Sequence, residues 1–99
     1  MTNDQIITEI NAYMQKFTGR ANSDWYVGIA AAPRDRLFID HCVDEKNGVW
    51  IFRQAASDSC AREVESAYHA AGFDGGPGGG DRTTVFVYAY LKTRSTEDT

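Results

Sequence analysis

The sequence has few of the features that mark secreted, membrane-spanning or nucleic-acid-coating proteins. Its 99 residues include only two cysteines, Cys42 and Cys60, so we expect reduced thiols and not a disulfide framework. No apolar run approaches the roughly 18 residues of a membrane helix, and no membrane association is expected. The first residues lack the basic and apolar regions of a secretory signal, which favours a cytoplasmic location. The net charge of −4 provides no general attraction to nucleic acid phosphates.

Hydrophobic periodicity predicts three helices and three strands in the order α-β-α-β-α-β. The predicted helices cover residues 3–17, 33–42 and 58–71, and the predicted strands cover residues 25–31, 49–54 and 83–92. The expected fold is an α/β (α+β) domain in which three helices pack on a small, mixed, three-stranded sheet. Residues 1–92 form this single domain, and residues 93–99 are expected to be a flexible polar tail.

Local signals support the two long helices and the last strand. Thr2 and Gln5 have the spacing of a capping box before the first helix. Ser57 or Ser59 caps the third helix, and Gly72 ends it. In the last strand the residues alternate: Val85, Val87, Ala89 and Leu91 suit a core face, whereas Phe86, Tyr88 and Tyr90 form an aromatic face that a helix would cover.

The glycine-rich loop from Gly72 to Asp81 is the one compositionally unusual segment. It connects a helix to a strand and lacks a Gly-Lys-Ser/Thr motif, so it does not match a phosphate-binding P-loop, which connects a strand to a helix. Two interpretations stay open. An ordered loop would line a ligand site with the carboxylates of Asp74 and Asp81, whereas a disordered loop would be a flexible connector.

Candidate functional residues concentrate between Trp25 and His41, where a buried strand turns into a charged helix. Tyr26-Val27-Gly28 lies within the strand, and Arg36 follows Gly28 by eight residues. A later helix carries Ala61-Arg62-Glu63-Val64-Glu65. These three features, in this order on a strand-helix-strand-helix frame, resemble the YIG motif, the helical arginine and the A-x-x-x-E helix of the GIY-YIG nuclease superfamily. The resemblance covers roughly residues 25–72.

The resemblance implies phosphodiester chemistry and assigns a role to each matching residue. Tyr26 takes part in the proton path, Arg36 contacts a phosphate oxygen, Glu65 holds one Mg²⁺, and His41 assists proton transfer. The implied partners are nucleic acid or another phosphate-containing ligand. The family's first GIY strand and its late asparagine have no counterpart, so the chain resembles a divergent member. The last strand is a candidate to replace the missing one, with Tyr88 or Tyr90 supplying a hydroxyl.

Each of these residues also has an explanation that needs no catalysis. Tyr26 fits a core aromatic residue, Arg36 a surface ion pair, Glu65 the polar side of its helix, and His41 a helix end. We therefore expect a catalytically silent relative that binds a phosphate-containing ligand. An active Mg²⁺-dependent nuclease is one alternative. The other is a non-enzymatic protein-interaction module that uses the glycine-rich loop and the aromatic face of the last strand.

Overall fold

A computed structural model describes residues 1–76 and 80–98 and contains helices packed on a three-stranded sheet, which confirms the predicted fold class. The elements are α1 (Asn3–Met14), β1 (Trp25–Ala30), α2 (Pro33–Asp35), β2 (Trp50–Gln54), α3 (Asp58–Ala70) and β3 (Phe86–Leu91). A 3₁₀ turn before β1 (Asn22–Asp24) and a π-helical turn after α2 (Arg36–Asp40) were not predicted. Residues 77–79, in the middle of the glycine-rich loop, lie outside the described part of the chain.

The sheet has the order β1-β3-β2, and both neighbours of β3 run antiparallel to it. The prediction of a mixed sheet is therefore wrong. The two strands that share a direction, β1 and β2, are separated by β3 and make no ladder with each other. In the β1–β3 register, Tyr26 lies opposite Tyr90 and Gly28 lies opposite Tyr88.

Both faces of the sheet are covered, as the nearly continuous apolar character of the strands indicated. On one face α1 and α3 pack with the predicted core positions of β3, Val87, Ala89 and Leu91. The opposite face carries a second, aromatic cluster, made of Tyr26, Ala30, Leu37, Val43, Tyr88 and Tyr90. The side chains alternate between the two faces because successive residues of a strand point to opposite sides.

Local capping follows the sequence closely at two helices. The Thr2–Gln5 capping box begins α1, and the Ser57 hydroxyl accepts a hydrogen bond from the Cys60 N–H at the start of α3. The middle helix is shorter than predicted. After Asp35 it widens into the π-helical turn, which ends at Asp40. Cys42 has a φ of 57°, a left-handed conformation that cannot continue a right-handed helix. Among the described residues, no helix has the length and apolar character needed to cross a bilayer.

Position 28 must be a glycine because the Tyr88 side chain of the neighbouring strand lies against its backbone. A Cβ atom at this position would lie 2.5 Å from the Tyr88 hydroxyl oxygen and 2.6 Å from Cζ. Real Cβ atoms do not approach other atoms so closely, and Tyr88 is packed in the core with only 2% of its surface exposed. The glycine in the YVG tripeptide therefore makes room for a tyrosine that comes from the other end of the chain.

We predict that Gly28→Ala lowers the free energy of unfolding by about 1–3 kcal/mol, the usual cost of overpacking a core. Denaturant unfolding measures the change. A double-mutant cycle supplies the control, because the same substitution in a Tyr88→Leu background has space for the new methyl group and should cost less. An equal cost in both backgrounds would contradict the proposed clash.

Candidate functional site

A cavity of about 380 Å³ opens where β1 runs into α2, beside α3 and the two ends of the glycine-rich loop. It brings together side chains from four separate parts of the chain. Its polar lining residues are Tyr26, Asp35, Arg36, Asp40, Glu65, Thr84 and Tyr88. The rest of the lining is backbone and small side chains of the β1–α2 turn, together with Gly76 and Gly80. Small residues leave the turn open enough to form the cavity.

The first part of the glycine-rich loop is ordered along the outer edge of β1. The Val27 N–H donates to the Asp74 carbonyl at 2.9 Å, and the Asp74 N–H donates to the Trp25 carbonyl at 2.9 Å. Lys92 holds the Asp74 carboxylate at 2.9 Å. This arrangement carries Gly76 to the phenol of Tyr26, where a Cβ atom would lie 2.7 Å from the hydroxyl oxygen. The loop residues on either side of 77–79 therefore form part of the cavity wall.

Tyr26 is a buried phenol whose hydroxyl group lies at the cavity. Burial raises the pKa of Tyr26, and the backbone of Gly76 and the positive charge of Arg36 partly offset that rise. Tyr26 is therefore a neutral hydroxyl at physiological pH. A neutral phenol can donate its proton in a hydrogen bond to an anionic oxygen of a ligand.

Arg36 opens the π-helical turn and reaches the same cavity. Its guanidinium donates to the Asp40 carboxylate at 3.1 Å, four residues along the chain, and this hydrogen bond raises the pKa of Arg36. The two side chains are 48% and 45% exposed, so the pair is held weakly and the guanidinium is accessible. The Asp40 carboxylate thus occupies a position that an anionic ligand of Arg36 would take.

Glu65 has the least usual surroundings of the polar lining residues. It lies on α3, is only 8% exposed, and forms no hydrogen bond or ion pair with any described residue. Burial raises the pKa of its carboxyl group, and the charges of His69 and Arg62 only partly oppose that effect. His69 instead contacts the Val27 carbonyl at 2.9 Å. An ionised carboxylate is costly in such largely buried surroundings, and a carboxyl group with a perturbed pKa in a cleft is a candidate for ligand binding.

His41 does not line the cavity but lies directly behind it. The side chain is fully buried, with Nε2 2.7 Å from the Tyr88 hydroxyl oxygen. The ring centre is 4.7 Å from that of Tyr26. Burial lowers the pKa of His41, and the hydrogen bond to the Glu97 carbonyl partly opposes this effect. His41 is therefore neutral at physiological pH and contacts a ligand only through Tyr88.

Three of the four site residues suggested by the family resemblance thus share one cavity. Tyr26, Arg36 and Glu65 line it, and His41 supports it from below. Glu65 is not a solvated residue on the polar side of its helix, because β1 covers the helix surface around it. Sequence reasoning named Tyr88 only as one of two candidates. Its cross-strand pairing with Gly28 selects it, and this pairing becomes visible only in the fold.

Among the described residues, no group of three or more His, Cys, Asp and Glu side chains is arranged to hold a metal ion. The cavity does offer the carboxylate of Glu65, which has no partner among the described residues. Magnesium ions are commonly bound by one or two carboxylates, with waters and substrate phosphates completing the octahedral shell. The donor set therefore fits one Mg²⁺ that arrives together with a phosphate ligand.

We predict that the free energy of unfolding falls as the pH drops below about 6.5, and that His41 causes part of the fall. Because the folded-state pKa of His41 is lowered, the unfolded chain binds a proton that the folded chain does not. The stabilisation is present above the unfolded pKa of about 6.5 and is lost as the pH falls through the folded pKa. Arg36, Asp40 and Asp98 are the charged groups that modulate this titration.

Chemical denaturation of the wild type and His41→Asn across this pH range measures the effect. Asn keeps a donor for the Glu97 carbonyl but does not titrate, and the other histidine is present in both proteins. The difference in unfolding free energy between the two should shrink as the pH falls. A difference that stays constant with pH would be inconsistent with a buried neutral His41.

No family model, curated protein or solved structure matches the chain. The function of the cavity is therefore inferred from its own residues: a buried carboxylate, an accessible guanidinium and two neutral phenols around one opening.

Proposed function

We propose that the cavity binds a phosphodiester together with one divalent cation and hydrolyses the ester, as in the GIY-YIG nucleases that the sequence resembles. One observation carries the proposal: the largely buried Glu65, whose carboxylate has no hydrogen-bond or ion-pair partner among the described residues, lines the same cavity as the accessible guanidinium of Arg36. A cation on the carboxylate and a phosphate on the guanidinium would satisfy both groups at once.

The charges around the cavity favour a ligand that brings a cation. The lining includes three carboxylates, from Asp35, Asp40 and Glu65, and one guanidinium, from Arg36. This set would repel a free phosphate, since bringing like charges close together raises their electrostatic energy. A divalent cation held by Glu65 would offset this negative charge and would favour the binding of a phosphate.

Three residues have separate roles in the proposed hydrolysis. Arg36 donates to a non-bridging phosphate oxygen, where negative charge accumulates in the transition state. The neutral Tyr26 hydroxyl donates to the same group. Tyr88 faces the cavity with a hydroxyl already hydrogen-bonded to His41. A bound divalent cation supplies Lewis-acid stabilisation of the phosphate and lowers the pKa of a coordinated water.

The order of the sheet suggests which strand would take the place of the family's unmatched first strand. The family's first tyrosine strand is missing from the start of the chain, and β3 occupies the central position beside β1. Tyr88 on β3 lies opposite Gly28 of the Tyr26-Val27-Gly28 tripeptide. The proposal is that β3 replaces the missing strand and that Tyr88, not Tyr90, supplies the hydroxyl.

Binding without hydrolysis is the second candidate, and the Arg36–Asp40 pair favours it. Asp40 competes with a phosphate for the donors of Arg36, which would weaken the stabilisation of transition-state charge that hydrolysis needs. An interaction module built on the aromatic face of β3 has less support, because Tyr88 and Tyr90 are buried beneath the residues that follow β1.

We predict that Arg36→Ala lowers kcat for Mg²⁺-dependent cleavage by about 10²–10³-fold, the usual cost of removing one donor to transition-state charge. The assay uses single-stranded and duplex oligonucleotides, and bis(p-nitrophenyl) phosphate as a small diester. Arg34→Ala is the matched control. Arg34 is exposed, pairs with Glu45 and lies over Trp50, so its loss should leave cleavage unchanged. No cleavage of any of these substrates by the wild type with Mg²⁺ or Mn²⁺ would refute hydrolysis.

We predict opposite effects of Glu65→Gln on stability and on function. The raised pKa of Glu65 means that the folded state pays to keep this carboxylate ionised, and that stability decreases as the pH rises through the folded pKa. The neutral amide should therefore unfold at higher temperature than the wild type at pH 7 without cation. It should also lose both cleavage and any stabilisation by Mg²⁺.

Glu63→Gln is the control for this experiment, because Glu63 is exposed on the same helix and lies outside the cavity lining. Differential scanning fluorimetry with and without MgCl₂ reads stability independently of turnover. Mg²⁺ that stabilises the wild type and Glu65→Gln equally would show that Glu65 holds no cation. Mg²⁺-dependent stabilisation without cleavage would support the binding-only candidate.

A further inference from the structure

The segment after β3 is bound to the back of the cavity, although its polar composition predicted a flexible tail. The Glu97 N–H donates to the His41 carbonyl at 2.7 Å, and the Glu97 carbonyl lies 2.5 Å from His41 Nδ1. The Tyr90 hydroxyl lies within hydrogen-bonding distance of the Asp98 carboxylate, at 3.0 Å, and of the Glu97 carbonyl, at 3.1 Å. A turn between Thr93 and Thr96 directs the chain back toward His41.

The contact with Glu97 decides which nitrogen of His41 carries the proton. A carbonyl oxygen can only accept a hydrogen bond, so Nδ1 must be the protonated nitrogen. The Tyr90 hydroxyl oxygen, 3.1 Å from Nδ1, is compatible with this assignment because its own proton has two other acceptors. An unprotonated Nδ1 would place two lone pairs against each other at 2.5 Å.

The tautomer then fixes the direction of the hydrogen bond to Tyr88. In a neutral imidazole with the proton on Nδ1, Nε2 is an acceptor. The Tyr88 hydroxyl, 2.7 Å away, must therefore donate its proton to Nε2. No other described residue hydrogen-bonds to the Tyr88 hydroxyl, and Tyr88 lines the cavity. The Tyr88 oxygen accordingly presents an acceptor to whatever enters.

We propose that residues 93–98 are a positioning element of the cavity: they hold His41 as the Nδ1–H tautomer, which makes Tyr88 an acceptor toward the ligand. Its use in hydrolysis rests on the proposed function. An acceptor at this position repels phosphate oxygens and orients the O–H of a water. The phosphate is left to the donors Arg36 and Tyr26, so the two reactants of hydrolysis are assigned to different side chains of one cavity.

The tautomer is measured directly by ¹⁵N chemical shifts of the His41 ring in the intact protein, without substrate or cation. The wild type at neutral pH should show a protonated Nδ1 and an unprotonated Nε2. Glu97→Pro removes the N–H that holds the segment and places a ring carbon against the His41 carbonyl. We expect its His41 shifts to move toward the averaged values of a free imidazole. Glu97→Ala keeps both backbone contacts and should retain the wild-type shifts.

A second variant tests whether the changed shifts of Glu97→Pro come only from a general loss of structure. Tyr90→Phe preserves the ring in the core but removes the hydroxyl that contacts Glu97 and Asp98, and its His41 shifts should move in the same direction as those of Glu97→Pro. A wild-type His41 protonated on Nε2, or a Glu97→Pro protein with wild-type shifts, would overturn the proposal.

Cleavage separates this proposal from the proposed function. If the wild type cleaves, Glu97→Pro should lower kcat more than it changes KM, because the cavity donors for phosphate are untouched. Unchanged kcat despite altered His41 shifts would overturn the positioning role while hydrolysis stands. If the wild type does not cleave, the proposed function fails, and the ring shifts alone still decide whether residues 93–98 fix the tautomer.

Discussion

The close contact between Tyr88 and the bare backbone of Gly28 is the constraint on which the site depends. The register of β1 on β3 places these residues opposite each other, and the missing side chain at Gly28 is what allows the Tyr88 ring to lie there. From that position the Tyr88 hydroxyl reaches both His41 and the cavity. A slip of one residue in this register would turn Tyr88 to the opposite face of the sheet and remove it from the site.

The surroundings of the cavity combine two kinds of buried polar group. His41 is fully buried but satisfied, because both ring nitrogens have hydrogen-bond partners and the ring stays neutral. Glu65 is nearly as buried but has no partner among the described residues. The first kind stabilises the fold, whereas the second costs stability. A carboxylate in such surroundings that lines the same cavity as an accessible arginine is a candidate for ligand binding.

Segments that are distant in sequence are joined through this region. Residues 93–98 return to His41, and Asp74 extends along β1, so the cavity is assembled from segments that are distant in sequence. The lining residues come from β1, the α2 region, α3, the glycine-rich loop and β3. Because these segments meet only when the sheet is complete, the site forms with the fold and not before it.

Much of the architecture follows from local patterns in the sequence. The capping box at Thr2, the cap at Ser57 and the alternation in β3 identify elements through the hydrogen bonds and burial of neighbouring residues. The spacing from Tyr26 through Arg36 to Glu65 also selected three residues that line one cavity. The π-helical turn was missed because it differs from an α-helix only in which backbone groups pair, which the side-chain pattern does not reveal.

Only the tertiary structure decided how distant segments combine. The sheet order, the choice of Tyr88 over Tyr90, the withdrawal of His41 behind the cavity and the binding of residues 93–98 all depend on long-range pairing. Polar composition predicted a flexible tail because Glu97 contacts His41 through its backbone, and every residue has the same backbone groups. Sequence patterns indicate which side chains are buried, whereas the surrounding fold determines the partner of each buried polar group.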